Sequence, residues 1–354
     1  MTKIQVAVLG ATGNIGQRFI QLLEDHPYFE IQGLYASERS EGKRLKQVLR
    51  IKDYPFKEET LEKKIEQLDV KTIASRCRVA FSGLPTDVAK DCEQGLADNG
   101  VAVFSNAASH RMRDDVPLLI PEVNSEHIKL VKAQKSFQDG GYIVTNANCS
   151  TTGLAIPMSA IYQEYGLRFL CVSTYQAVSG AGYPGVPSLD ILGNVVPYIK
   201  GEEEKMEAEI FKMLGVISPK GGIKNAAFDM VASCARVPVI DGHIESAAMI
   251  MSKDPSVEEI TTLLNGFRAE PQRLELPTAP LQPIIVRSED DRPQPVIDVN
   301  AGEPTRARGM AVTVGRIRQS GKYTKMWVLS HNTIRGGAGG SVINAELAKA
   351  KKLL

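Results

Sequence analysis

Apolar and polar positions alternate in two different rhythms along this chain. Residues 4–9 (IQVAVL) form a short apolar run, followed by the glycine-bearing turn GATGNIG at 10–16 and by apolar positions at helical spacing over 17–23, ending near His26 and Pro27. That order predicts strand, turn and helix. Further apolar runs at 31–35, 79–81 and 101–104 are separated by helical or charged stretches, the βαβ rhythm of a doubly wound parallel sheet. Beyond residue 155 the apolar segments lengthen and alternate, at 169–177, 231–239, 243–251 and 310–318, which predicts a mostly antiparallel sheet. Residues 202–214 and 257–267 read as helices covering one face of it, and the proline-rich 277–297 as a long connection. The closing stretch 339–354 reads as a helix able to pack back on the first unit. The expected organisation is therefore an α/β Rossmann-type nucleotide-binding domain at 1–150, completed by 339–354, and an α+β domain at 151–338.

Composition narrows the class of partner. A length of 354 residues accommodates two cores and a cleft between them. With 42 Lys and Arg against 41 Asp and Glu, no global field recruits nucleic acid or an anionic membrane, so a small-molecule substrate is the natural partner. The five cysteines form no CxxC pair and no His stands at metal-ligand spacing, which argues against a metal site or disulfides and points to a reducing, cytoplasmic setting. Residues 1–9 show no apolar leader and no run reaches ~18 apolar residues, so a soluble, unprocessed protein is expected.

The first chemistry lies in the turn. Backbone N–H groups at a helix start can face a pyrophosphate, and Gly10, Gly13 and Gly16 stand where a tight turn and close approach are needed, with Thr12, Asn14 and Ile15 completing the cradle. The spacing is GxxGxxG instead of the commoner GxGxxG, so on the motif alone a plain tight turn competes with a dinucleotide site; its position directly after the first strand favours the latter. An NAD-specific fold usually ends its second strand in an acidic residue that holds the ribose diol. Here that strand leads into Ser37, Glu38, Arg39 and Ser40. Ser37, Arg39 and Ser40 can cradle a 2′-phosphate, which favours NADP and requires Glu38 to turn away; the competing reading is a solvated polar turn.

The second chemistry is a thiol. Cys149 lies in NANCSTTG, between the apolar strand 142–144 and an apolar helix starting at Leu154. A thiol at a helix N-terminus has its thiolate stabilised by free N–H groups, whereas an isolated cysteine is usually a small buried hydrophobe. The polar surroundings mark Cys149 as the nucleophile and leave Cys77, Cys92, Cys171 and Cys234 in the bland role.

Six segments in order, GATGNIGQ, SNAASHRM, NANCST, YQAVSGAGYPG, RVPVIDGH and HNTIRGGAGG, make the chain resemble the aspartate-β-semialdehyde dehydrogenases over nearly its whole length, and the short RVPVIDGH resembles the archaeal and fungal branch. The resemblance implies NADP, a substrate and dimerisation domain forming a homodimer or homotetramer, and reductive dephosphorylation of aspartyl phosphate in the synthesis of lysine, methionine and threonine. It implies Cys149 as nucleophile, Gln176 as the residue orienting the substrate, His243 as acid/base and Arg236 as the carboxylate ligand, with Asn148 beside the nucleophile in the substrate site. A planar guanidinium suits a carboxylate and an imidazole titrates near neutrality, which agrees. Ser179, Gly180 and Asn332 are implied against the nicotinamide, and Arg111 at the phosphate. The helix GEEEKMEAEIFKML carries two Glu-x-x-Lys pairs; the register relative to Arg236 selects Glu209 and Lys212 for the substrate ammonium and phosphate, while Glu202 and Lys205 share the spacing and stay open. His331 and the short loop 218–224 depart from the family pattern without touching this chemistry. The alternatives are another acyl reductase on the same fold, acting on N-acetyl-glutamyl phosphate or malonyl-CoA, and a non-catalytic NADP-binding sensor.

Overall fold

The structure, a computed structural model, describes residues 2–354. Six short strands, β1 (Ile4–Leu9), β2 (Phe29–Ala36), β3 (Ile65–Gln67), β4 (Val79–Ser82), β5 (Ala102–Ser105) and β6 (Tyr142–Thr145), form one parallel sheet in the order β3-β2-β1-β4-β5-β6. The order reverses between β1 and β4, and in such sheets the crevice beyond the strand ends at that point receives the ligand. Both faces are buried, as a parallel sheet requires. Phe19 of α1 (Asn14–Leu23) packs with Phe81 and Phe104 on one face, while Ala7, Leu9 and Tyr35 pack with Leu96 of α2 (Thr86–Asp98) on the other.

The second sheet contains β7 (Leu167–Gln176), β8 (Asp229–Arg236), β9 (His243–Met251), β10 (Ile284–Arg287), β11 (Val312–Ser320) and β12 (Tyr323–Ser330), in the order β8-β7-β9-β12-β11-β10. The β8/β7 and β10/β11 pairs are parallel and the others antiparallel, so the sheet is mixed. Its inner face packs on α3 (Cys149–Tyr165), α4 (Glu202–Met213) and α5 (Val257–Gly266) through Val172, Met249, Ile161, Ile210 and Leu264. The first three turns of α3 are enclosed almost all round, which is why that segment is apolar on every side. The outer face, with Ser246 and Ala248 beside Tyr175 stacked on Trp327, is only half-buried.

Two expectations need correction. The proline-rich 277–297 is not merely a connection, because it contains β10 and the short helix Pro295–Asp298. A strand there is compatible with nearby prolines because β10 lies at the sheet edge, where missing donors cost little. The segment 323–330, not foreseen as a strand, pairs with both β9 and β11 after the turn at Gly321. The C-terminal helix α6 (Gly339–Ala350) places Val342, Ile343 and Leu347 in the same core as Phe19 and Phe104.

Candidate active site

The glycine turn sits at the switch point. Gly10 adopts φ +72°, and a Cβ there would lie 2.7 Å from the carbonyl oxygen of Gly83 at the end of β4, a contact not foreseen from sequence. A Cβ on Gly16 would lie 2.1 Å from the Gly10 carbonyl oxygen, so only glycine lets α1 come this close to β1. Helix α1 starts at Asn14 behind an extended Gly13, leaving the N–H groups of its first turn for an anion. At the end of β2, Glu38, Arg39 and Ser40 form a 3-10 turn. The Glu38 carboxylate accepts from Gln67 Nε2 at 3.1 Å, turned toward β3, and Arg39 is exposed beside it.

Across the cleft, β6 runs into the start of α3. Asn148 caps this helix, its Oδ1 accepting from the N–H groups of Ser150 (2.9 Å) and Thr151 (3.1 Å), which holds Cys149 as the first helical residue. Cys149 Sγ stands 3.2 Å from His243 Nε2. The other ring nitrogen, Nδ1, accepts from the Ala177 N–H at 3.0 Å, and the Ala177 carbonyl accepts from Arg236 Nη1 at 2.8 Å, so one residue after β7 holds both side chains. A Cβ on Gly180 would lie 2.9 Å from Arg236 Nη1 and 3.1 Å from His243 Nε2, which explains glycine there. Asn332 ties the same region together, accepting from Gly242 N–H at 2.9 Å and donating to Ser179 Oγ at 2.8 Å. Gln176 pairs with Arg236 across β7 and β8 and donates to Thr174 Oγ1 at 3.2 Å.

Burial pushes the Cys149 thiol up to about 12, further raised by nearby Glu202, against Arg111, Arg236 and the Ser150 N–H, which stabilise the thiolate. Cys149 keeps part of its surface open, whereas Cys77, Cys92 and Cys234 are buried. Burial holds His243 well below its ordinary value, with the charges of Arg236 and His331 acting in the same direction. Burial thus disfavours both the thiolate and the imidazolium, while the neighbouring arginines favour charge on the sulfur.

The two Glu-x-x-Lys pairs make different contacts. Lys212 Nζ donates to the carbonyls of Arg111 (2.7 Å), Arg113 (2.7 Å) and Val116 (3.1 Å), which uses all three of its protons inside the protein. Glu209 is equally committed, bonding Arg111 Nη1 at 2.8 Å and the Asn148 N–H at 2.6 Å. Through these contacts the two residues hold Arg111 and the cap of the Cys149 helix, and each Glu209 oxygen retains a further lone pair. One face of α4 nearer its start, Glu202 accepts from Asn148 Nδ2 at 2.8 Å and lies 3.9 Å from the partly exposed Lys205 ammonium. Arg111 keeps an unpartnered, buried Nε.

Contacts missed by the sequence reading close the cleft. Arg18 of α1 bonds the Asp53 carboxylate at 3.1 Å and reaches Asp241, in the loop before His243, at 3.6 Å. The Arg50 guanidinium lies 3.2 Å from the ring centroid of Tyr183. Between them is a cavity of about 470 Å³ with Asn14 on one wall and Ser179, Ile240 and Asp241 on the other. Near the far end of the chain, a Cβ on Gly336 would lie 2.7 Å from Cys149 Cα, so that segment is pressed against the nucleophile.

A dinucleotide-type turn facing a helix-capped thiol, with an imidazole against the sulfur and an arginine beside it, is the arrangement of a two-domain dehydrogenase with a thiol in its cleft. The family profile "Semialdehyde dehydrogenase, NAD binding domain" matches residues 5–131, and "Semialdehyde dehydrogenase, dimerisation domain" matches 158–335. The aspartate-semialdehyde dehydrogenase of Archaeoglobus fulgidus is 45% identical over 356 residues, covering 99% of this chain and 100% of that one. That of Methanothermobacter thermautotrophicus is 44% identical, covering 97% and 98%. The crystal structure of aspartate semialdehyde dehydrogenase with NADP from Candida albicans superimposes with a TM-score of 0.89 at 39% identity, over 100% of both chains. This chain belongs to the aspartate-semialdehyde dehydrogenase family.

Proposed function

We propose that this chain catalyses the NADP-dependent reductive dephosphorylation of L-aspartyl-4-phosphate to L-aspartate-4-semialdehyde, and its reverse, through a thioester on Cys149. The observation that carries the reading is Cys149 Sγ at a capped helix N-terminus, 3.2 Å from His243 Nε2, facing the glycine turn across the cleft. The sulfur attacks the acyl carbon, the bond to the phosphate oxygen breaks, and the acyl group stays on Cys149. Arg236, fixed through the Ala177 carbonyl and otherwise free, receives the substrate α-carboxylate. Glu202 receives the ammonium, and Lys205 with Arg111 receives the phosphate. Gln176, behind Arg236, limits where the acyl chain can lie.

The residues present fit NADP. Gly10 and Gly16 let the turn pack directly on the Gly83 backbone and on itself, which leaves the first N–H groups of α1 for the pyrophosphate, and Arg39 is exposed next to Ser37 and Ser40 for the 2′-phosphate. Asn332, Ser179 and Gly180 line the nicotinamide end. When bound, the cofactor supplies or accepts the hydride; the protein's task is to hold the acyl sulfur and exclude water. The half-buried outer face of the second sheet, within the matched dimerisation domain, supports a homodimer, in keeping with a cytoplasmic enzyme of amino-acid synthesis.

The test is NADPH formation from aspartate semialdehyde, with phosphate and then with coenzyme A as acyl acceptor, alongside the one-carbon-longer glutamate semialdehyde. Phosphate-dependent turnover restricted to the aspartate compound is expected. Turnover with coenzyme A but not phosphate would transfer the chain to the malonyl-CoA type of reaction.

A further inference from the structure

Behind the turn that carries Arg111 lies a buried carboxyl that the thioester chemistry does not use. Glu93 of α2 is fully buried against Ser82 and Ser105, the last residues of β4 and β5. Ser105 Oγ donates to Glu93 Oε1 at 2.7 Å and accepts from the Ala107 N–H at 3.0 Å, so the carboxyl is tied to the start of the turn 106–111. Arg111 closes the same turn, its Nη2 donating to the Asn106 carbonyl at 2.7 Å. The second carboxyl oxygen, Oε2, has no hydrogen-bond partner, and neither has His110 Nε2, which stands 3.6 Å away. A buried oxygen left without a donor favours the neutral acid over the carboxylate.

The groups packed on Glu93 leave its charge to be met by one cation. On α2 itself Cys92 is an uncharged thiol, pushed up to about 12 by burial. Strands β4 and β5 contribute hydroxyls. From the turn, His110 is held below its ordinary value by burial and by the Arg113 charge, so at neutral pH it brings no positive charge. Arg111 is the cation that Glu93 feels. Burial pushes the carboxyl up to about 7, against the hydroxyls of Ser82 and Ser105 and the charge of Arg111. Glu93 therefore changes charge across the neutral range, close to a guanidinium that Glu209 already pairs at 2.8 Å and whose Nε has no partner.

We propose that Glu93 is a positioning residue for the anion site: as the neutral acid it leaves the Arg111 charge to the phosphate group of the substrate, and as the carboxylate it draws that charge to itself and weakens phosphate binding. The proposal rests on the reading of Arg111 as a phosphate ligand. Linkage makes the effect reciprocal. Raising the pH through neutrality loosens the anion, and binding the anion draws a proton onto Glu93.

Inorganic phosphate changes its own charge near neutrality, so the probe is sulfate, a dianion throughout, used as a competitor of phosphate in NADPH formation from aspartate semialdehyde. For the wild type the sulfate inhibition constant should rise about three- to tenfold between about pH 6 and about pH 8, the size expected of one partly screened charge. In Glu93→Gln it should stay near the low-pH value throughout. Lys212, bonded to the Arg111 carbonyl and held down to about 8 by burial, is the other titrating group on this turn. A pH dependence of wild-type size that persists in Glu93→Gln belongs to Lys212 and overturns the proposal. Calorimetry of sulfate binding to the NADP-loaded enzyme near pH ~7, in buffers of different ionisation enthalpy, should show uptake of a fraction of a proton per site in the wild type and nearly none in Glu93→Gln. Absence of uptake in the wild type overturns the proposal whatever the variant does. Arg111→Ala separates the two levels: sulfate inhibition unchanged by it defeats the phosphate-site reading, whereas inhibition that depends on Arg111 but not on pH defeats only the role of Glu93.

Discussion

Replacing Lys212 by methionine should cost stability and leave phosphate recognition alone, the opposite of what its charge suggests. Its ammonium donates to three carbonyls at 2.7, 2.7 and 3.1 Å in a buried position between α4 and the 111–116 segment. Methionine preserves most of the stem's packing but leaves those carbonyls short of donors. Each unsatisfied buried acceptor costs about 1–3 kcal/mol, and since a carbonyl can find a partial substitute, a net loss of about 3–5 kcal/mol is expected. At roughly 2–4 °C per kcal/mol for domains of this size, Tm should fall by on the order of 10 °C. Lys205→Ala is the control. Its ion pair to Glu202 at 3.9 Å is partly exposed and contributes at most about 1 kcal/mol. Loss of one charge-assisted bond to phosphate, about 1.5–3 kcal/mol, should nevertheless raise the phosphate KM about 10- to 150-fold. Thermal unfolding with steady-state kinetics at varied phosphate reads both effects. A stable Lys212→Met with a raised phosphate KM, or a Lys205→Ala with an unchanged one, refutes the division of roles.

Cys149→Ala should abolish turnover and acyl labelling while NADP still binds; an adduct mapping instead to the half-buried Cys171 would remove the central claim. Arg39→Ala should raise the KM for NADP by about 10- to 150-fold, the worth of one charge-assisted bond, and barely change that for NAD; equal losses would place the 2′-phosphate elsewhere. Glu93, buried beside Ser82 and Ser105, has its carboxyl pushed up to about 7 by burial. A folded-state value above the unfolded 4.5 means the fold retains a proton the unfolded chain has lost, so this contribution to stability is fullest below about 4.5 and declines as pH rises to about 7. Glu93→Gln should flatten that slope and, at pH ~8, exceed the wild type by at most about 3 kcal/mol in urea unfolding; an unchanged slope would show that Glu93 does not titrate there.

The elements legible in the sequence are those whose local pattern and tertiary environment agree. Strand β1, the glycine turn and the helix behind it announce themselves because two-face burial demands an apolar run and close approach demands glycine. Cys149 stands out because a helix cap must be polar where the helix behind it is not. What could not be read depends on long-range partners. Edge strand β10 hides among prolines, and its place is set by pairing with β11. The two Glu-x-x-Lys pairs of α4 have the same spacing, and only the carbonyls supplied by the 111–116 segment, about a hundred residues away, distinguish the contacts of the two lysines. Gly83 and the Arg18 to Asp241 contact carried no local signal at all. The ring of His243 is likewise held by a single backbone N–H belonging to another strand's end.

The relation between cofactor and nucleophile is fixed by backbone more than by side chains, and the glycine-rich segment before α6 does it. A Cβ on Gly336 would meet Cys149 Cα at 2.7 Å, one on Gly337 would meet Ile15 Cδ1 at 2.8 Å, and one on Gly340 would meet Asn146 Oδ1 at 2.4 Å. Bare peptide therefore fills the gap between the helix that presents the sulfur and the turn that receives the dinucleotide. The neighbouring Arg335 is anchored by two bonds to Glu122, at 2.9 and 2.6 Å, both side chains buried. A buried ion pair of this kind adds little net stability, but breaking either half strands a charge, so it specifies position. Arg18, reaching from α1 to Asp241 at 3.6 Å, adds a second tie from the cofactor side to the loop that leads into His243. Bond-making in such a site tolerates displacements of well under an ångström before rates fall. A chain that passes from the first domain into the second and returns to pack its last helix on the first meets that tolerance by making the returning segment the spacer between them.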